Sequence, residues 1–207
     1  MEFSLDKTKN IIINLLSNGG VVILPTDTIY ALSCIINDEN SLKRILKIKG
    51  RDISKGIPVL VPDKKFFYEY SEHITKECEQ LIETFMPGAL TLIVKKKSNI
   101  SNIISGNTEN VAIRIPDNSN LIEIMKKIKS GITGTSANIS GKEHTLITEN
   151  IVNDLGDKVD LIVFGEYNKK SNNPSTILDM TKEKIKVIRE GKITINDIKN
   201  AGINIQW

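Results

Sequence analysis

Leu5, Ile12, Leu15 and Leu16 recur at helical spacing near the start of the chain, and Gly19-Gly20 then stop that helix. Val21-Val22-Ile23-Leu24 follows as an unbroken apolar run of strand length, closed by Pro25. The segment Asn40 to Lys49 is predicted helical, with Leu42, Ile45 and Leu46 covering one face, Asp38 as its N-cap and Gly50 as its stop. Pro58 to Val61 is the next predicted strand. Ile74 to Phe85 reads as an amphipathic helix ended by Met86-Pro87-Gly88, and Leu90 to Val94 as a strand of β-rich composition. In the second half, Val111 to Ile115, Ile132 to Thr135, Val159 to Phe164, Thr176 to Asp179 and Lys186 to Arg189 read as strands. Leu121 to Ile128 and Ile151 to Leu155 read as helices, and Thr194 opens a short last helix with Asp197 placed as in a capping box. This alternation predicts an α/β fold: one central twisted sheet, mixed or parallel, flanked by helices. No linker or repeat divides residues 1–207, so a single domain is expected, with residues 165–174 its most loop-like stretch.

Composition narrows the function classes. The 207 residues carry 28 basic and 25 acidic side chains, a net charge of +3, which argues against bulk nucleic-acid binding and leaves room only for a local basic patch. Two cysteines, Cys34 and Cys78, make no disulfide framework or metal spacing, and His73 and His144 are the only histidines, so no metal site is expected. The longest apolar run is too short to span a bilayer, and Met1-Glu2-Phe3-Ser4 lacks a basic n-region, so a cytoplasmic protein with no membrane partner is expected.

The candidate chemistry lies in short polar segments between the predicted elements. Lys49-Gly50-Arg51-Asp52-Ile53-Ser54-Lys55 sets three cations in seven residues after a helix; they read either as a solvated helix end suited to the dipole or as a phosphate cluster. Gly134-Thr135-Ser136-Ala137-Asn138-Ile139-Ser140-Gly141 is a hydroxyl-rich loop directly after a strand, either a polar turn or a set of donors for an anion. It is not a Walker A sequence, because Ser136 stands where that motif needs its first glycine and Glu143 replaces its final Ser or Thr. Pro25-Thr26-Asp27-Thr28-Ile29-Tyr30 follows a strand end, where open α/β sheets place ligand crevices; its hydroxyls and Tyr30 either grip a small polar substrate or cap a turn. Arg114 is a cation inside an apolar strand, either a structural ion pair or a bidentate carboxylate site.

Taken in order, PTDTIYAL, KGRDISK, MPGALTLIV, VAIRIP, TSANISG, PSTILD and VIREG resemble the threonylcarbamoyl-AMP synthase family of the YrdC/Sua5 type, from Val21 to Gly191. The resemblance implies a YrdC-like fold around a deep, positively lined concave cleft. It also implies a reaction in which L-threonine, bicarbonate and ATP, with Mg2+, give threonylcarbamoyl-adenylate and pyrophosphate. A partner t6A transferase complex would then modify tRNA. On the matching positions, Lys49 and Arg51 would be catalytic, nearest the triphosphate. Arg51, Lys55, Ser136, Asn138, His144 and Arg189 would hold ATP, and Thr28, Arg114, Gly134 and Ser175 would hold L-threonine. The stretch Lys169 to Asn173 would serve as a lid.

Three positions depart from the family pattern: Ala31 where glycine is common, Asp52 where proline is common, and Leu60 where many members have histidine near the threonine. The chain stops soon after VIREG, so the short form without the C-terminal Sua5 domain is expected. Two competing readings remain open here. One is a YciO-type paralogue, against which stand the Lys49/Arg51 and Ser136/Asn138 pairs. The other is a non-catalytic protein binding tRNA or double-stranded RNA through the same concavity. A carbamoyltransferase of the hydrogenase-maturation type normally carries further domains.

Overall fold

The run Val21–Leu24 is buried along its whole length because alternate residues of a strand point to opposite faces. Val21 and Ile23 enter one hydrophobic cluster, Val22 and Leu24 another. The computed structural model describes residues 5–141, 148–164 and 173–206. Helix α1 (Leu5–Ser17) leads into β1 (Val22–Leu24), which returns through residues 25–30 as β2 (Ala31–Ser33). Helix α2 (Glu39–Lys49) begins where the Asp38 carboxylate accepts from the N–H groups of Asn40 and Ser41, and ends at Gly50, whose φ of 57° is left-handed. A 3₁₀ turn (Ile53–Lys55) capped by Asp52 connects to β3 (Val59–Leu60). Asp52, the departure from proline noted above, thus supplies the acceptor for the Ser54 N–H at 2.8 Å.

Next come α3 (Lys64–Tyr70), β4 (Ser71–Glu72), α4 (Lys76–Phe85) and β5 (Leu90–Lys96), with a cis Met86–Pro87 bond between the last two. Helix α5 (Asn102–Ser105), β6 (Asn110–Arg114) and α6 (Ser119–Ile128) precede two very short strands, β7 (Ile132–Thr133) and β8 (Thr135–Ser136). The described chain finishes with α7 (Thr148–Leu155), β9 (Leu161–Ile162), β10 (Thr176–Asp179), β11 (Ile185–Arg189), α8 (Ile195–Asn200) and β12 (Ile205–Gln206). The predicted capping box at Thr194 and Asp197 is present.

The strands form two mixed sheets, which corrects the expectation of one central sheet. The smaller has the order β8-β2-β1-β9; the larger runs β12-β11-β10-β5-β6-β3-β7, with β4 added beside β5. The segment predicted as one strand from Ile132 to Thr135 is where the sheets part. Thr133 pairs with Val59 in the larger sheet and Thr135 with Leu32 in the smaller. Gly134 lies between them, and its N–H donates to the Pro58 carbonyl at 2.7 Å. A Cβ at Gly134 would come within 2.7 Å of the Leu60 Cγ, so only glycine lets the chain cross there without displacing Leu60. Helices α1 and α6 pack together on the second cluster through Ile12, Leu16, Leu121, Ile124 and Met125. Among the described residues no helix is long and apolar enough to cross a membrane.

Candidate active site

Where the two sheets diverge they leave a cleft of about 190 Å3. Stretches far apart in the chain reach it: the β1–β2 connection, the turn after α2, strands β3, β5 and β6, the β7–β8 crossing, and the β10–β11 pair. Among the described residues its charged lining is Arg51, Arg114 and Arg189, all cations. Hydroxyls line it from Thr26, Thr28, Thr91, Thr135, Ser136 and Ser175, and an apolar wall comes from Ile29, Ala31, Pro58, Leu60, Pro174 and Ile177. Thr28, Arg51, Arg114, Gly134, Ser136, Ser175 and Arg189, picked out above from distant parts of the sequence, therefore share one cavity.

Arg114 is only 5% exposed, and the geometry around it explains how a guanidinium is tolerated there. Its Nε donates to the Gly88 carbonyl at 2.8 Å, Nη1 to the Thr28 hydroxyl at 2.7 Å, and Nη2 to the Asp27 carboxylate. The turn before β2 is closed by Thr26 instead, whose hydroxyl donates to the Ile29 carbonyl at 2.7 Å and accepts from the Thr28 N–H at 3.1 Å. Asp27 and Thr28 are thereby released from turn-capping to hold Arg114. Asp27 is the residue that sequence reasoning undervalued: a lone Asp in a Thr-rich turn looks like a cap, and its partner lies 87 residues away. Tyr30 is the opposite case. Its ring is buried and packs edge-on against Phe164 at 6.3 Å, so it belongs to the core and not to the cleft wall.

The Lys49–Lys55 segment divides by placement. Gly50 reverses the chain after α2, which sends Lys49 inward and Arg51 to the cleft. Lys49 is 1% exposed, and its ammonium donates to the carbonyls of Ser136 (2.5 Å) and Asn138 (2.8 Å) and to Asn138 Oδ1 (3.1 Å). The Lys49 carbonyl in turn accepts from the Ser140 N–H at 2.8 Å. Lys49 thus anchors the hydroxyl loop at both ends of its own residue and lies behind the cleft wall. The Ser136 hydroxyl donates to Asn138 Oδ1 at 2.6 Å, so Ser136 faces the cleft while Asn138 sits outside the lining as its support. Arg51 donates from Nη2 to the Lys55 carbonyl at 2.8 Å, but its Nε is a buried donor with no hydrogen-bond partner among the described residues. A buried donor of this kind is costly unless a ligand acceptor meets it. Lys55 is exposed and contributes its carbonyl to Arg51, with its side chain outside the lining.

Burial, reinforced by the neighbouring Arg51 charge, pushes the Lys49 ammonium down to about 7 from the ordinary lysine value of 10.5. The unfolded chain therefore holds one proton more than the folded protein between pH 7 and 10.5, so stability rises with pH across that window and is flat, on this account, below it. The urea midpoint of the protein is expected to climb from pH 7 to 9.5 relative to that of Lys49→Met; parallel curves would remove Lys49 as the titrating group.

On the far side of the cleft, Arg189 donates to the Ser175 carbonyl from Nε (3.1 Å) and Nη2 (2.8 Å). Although the residue is exposed, burial of its head and then the Arg114 charge lower its hold on the proton; a guanidinium nevertheless stays charged. The Ser175 hydroxyl lies 2.8 Å from that of Thr91, a lining residue on β5 whose place in an apolar strand gave no hint of a polar role. Gly134 contributes lining, with its N–H already donated to Pro58. His144 and residues 169–172 of the expected lid lie outside the described residues. No group of three or more His, Cys, Asp or Glu able to hold a metal ion occurs among the described residues.

Comparison with known proteins gives this cavity a context. The Sua5/YciO/YrdC family model, described as telomere recombination, matches residues 14–191. A protein of Methanocaldococcus jannaschii, provisionally named a threonylcarbamoyl-AMP synthase, is 35% identical over 182 residues, 87% of this chain and 84% of the relative. A threonylcarbamoyl-AMP synthase of Pyrococcus abyssi is 28% identical over 88% of this chain, which spans only 54% of that protein's length. The crystal structure of P. abyssi Sua5 complexed with L-threonine superposes with a TM-score of 0.91 at 27% identity, covering 100% of this chain and 61% of that one. Escherichia coli YciO superposes at 0.82 with 26% identity, covering 92% of each chain. With the family model spanning most of its length and its seven motifs meeting around one cleft, this chain belongs to the Sua5/YciO/YrdC family.

Proposed function

We propose that this protein is a threonylcarbamoyl-AMP synthase, a transferase that joins L-threonine, bicarbonate and ATP into threonylcarbamoyl-adenylate and pyrophosphate for tRNA modification. The observation that carries the reading is the convergence of Arg51, Arg114 and Arg189 on one hydroxyl-lined cleft, in a chain that superposes on a threonine-bound Sua5. The threonine amine captures bicarbonate as a carbamate with loss of water. A carbamate oxygen then attacks the ATP α-phosphorus, and the α–β bridging oxygen leaves with pyrophosphate. No covalent nucleophile is required. Positioning and charge compensation suffice, with Arg51 meeting the phosphates, Arg189 and Ser136 lining the nucleotide side, and Arg114, Thr28 and Ser175 facing the amino acid. Lys49 and Asn138 act from behind by holding Ser136, and Lys55 and His144 complete the nucleotide set assigned by resemblance. Mg2+ would come with ATP as part of the substrate and would offset phosphate charge there. The adenylate passes to a t6A transferase complex in the cytoplasm.

The deciding experiment is pyrophosphate release from ATP with and without L-threonine and bicarbonate. Release that requires both is expected; release independent of threonine, or none, overturns the reading. The likeness to E. coli YciO gives the paralogue reading some footing, and the same assay decides between them, since a paralogue lacking the activity releases no threonine-dependent pyrophosphate. An RNA-binding role draws little support from the cleft: its described lining has no aromatic ring on which a base could stack.

A further inference from the structure

Leu60 faces the cleft from β3 at a place where the ladder settles what it touches. In the parallel pairing of β3 with β6, Leu60 lies directly beside Arg114, and both line the cavity. Neighbouring strands stand about 4.8 Å apart, and paired residues project to the same face. On its other side Leu60 is backed by Gly134, where even a Cβ would come within 2.7 Å of the Leu60 Cγ and 2.9 Å of Cδ2. Leu60 is 3% exposed and belongs, with Ala31 and Ile132, to the cluster beneath α1 and α6. It cannot recede from the cleft, because the Gly134 backbone and that cluster fill the space behind it. The cavity therefore has a fixed apolar wall next to its most buried cation.

We infer that Leu60 determines the side-chain selectivity of the amino-acid subsite, packing against the substrate β-methyl so that threonine is taken in preference to serine. The inference rests on the reading that the amino-acid carboxylate docks at Arg114. A carboxylate held there keeps the β-carbon, two bonds away, within reach of the neighbouring strand position. Threonine and serine present the same amine, carboxylate and hydroxyl to the ring of hydroxyls around the cleft. They differ by one methyl, and only an apolar wall tells them apart. Ala31, the paired neighbour of Leu24 in the smaller sheet, extends that wall without filling the cleft.

The test compares threonine with serine in the unaltered protein, Leu60→Ala and Leu60→Val, by kcat/KM for pyrophosphate release and by calorimetric binding of each amino acid. Leu60→Val keeps a strand-favouring residue in the core and covers the case in which Leu60→Ala does not fold. The threonine-to-serine ratio is expected to fall about tenfold in Leu60→Ala and less in Leu60→Val, mainly through weaker threonine. A ratio unchanged in both variants, with the two amino acids weakened alike, would show that Leu60 merely supports the fold. Threonine binding without turnover in the unaltered protein sinks the synthase reading while the calorimetric ratio still tests Leu60. Failure to bind either amino acid overturns both.

Discussion

Arg114→Ala is expected to lower the unfolding free energy by about 3–5 kcal/mol, because it strands the Asp27 carboxylate in a buried site with its partner gone. Against a typical domain stability of about 5–15 kcal/mol, that leaves a marginal fold. Loss of activity in this variant would therefore say nothing by itself about threonine. The informative protein is the double variant Asp27→Asn/Arg114→Ala, which removes both charges. Its urea midpoint is expected to recover a large part of the loss, while threonine-dependent pyrophosphate release stays absent. Recovery of release along with stability would show that Arg114 serves only the fold. Arg114→Lys is not a conservative alternative: an ammonium cannot reproduce the three directed contacts to Gly88, Thr28 and Asp27.

Arg51→Ala has the reverse profile. Its Nε is a buried donor without a partner among the described residues, and the side chain's one hydrogen bond to them is to the Lys55 carbonyl, so the fold gains little from it. Unfolding midpoints are expected to stay the same or rise slightly, since an unsatisfied buried donor is destabilising. Turnover is expected to fall about 10²–10³-fold, the loss typical of removing one donor aimed at developing transition-state charge. Measuring the urea midpoint and the pyrophosphate release rate on the same preparation separates the two effects. A variant that kept full turnover would show that the cluster after α2 does not meet the phosphates.

The pair of arginines shows what could be read from the chain and what could not. Arg114 inside VAIRIP was recognisable as an anomaly, since an unpaired cation does not survive in an apolar strand. Its partner was not recognisable, because Asp27 lies in a turn where an aspartate has a sufficient local explanation. Lys49, Arg51 and Lys55 looked equivalent in sequence, three cations around one glycine. The left-handed Gly50 and the capped 3₁₀ turn after it separate them: Lys49 buried among carbonyls, Arg51 at the cleft, Lys55 in solvent. Hydroxyls are harder still. Thr91 sits in a β-rich strand where threonine needs no explanation, and it reaches the site only because β10 pairs beside β5 and brings Ser175 to it.

What the sequence determined alone is what depends on neighbours a few residues away. The start and stop of α2 at Asp38 and Gly50, the capping box at Thr194 and the strand character of Val21–Leu24 all follow from local hydrogen bonding and periodicity. The motif order likewise identified the family and, with Thr28, Arg51, Arg114, Gly134, Ser136, Ser175 and Arg189, part of the lining. Tertiary structure decided what depends on non-local pairing. Strands as short as β2, β8 and β12 have no pattern long enough to detect, and exist because another strand supplies their hydrogen bonds. The division into two sheets at Gly134 arises from the same source: the Gly134 N–H bonds to Pro58, 76 positions earlier, and the chain then leaves one ladder for another. The cleft opens at that division, and which cations face it, which lie behind it and which apolar wall they share was settled there.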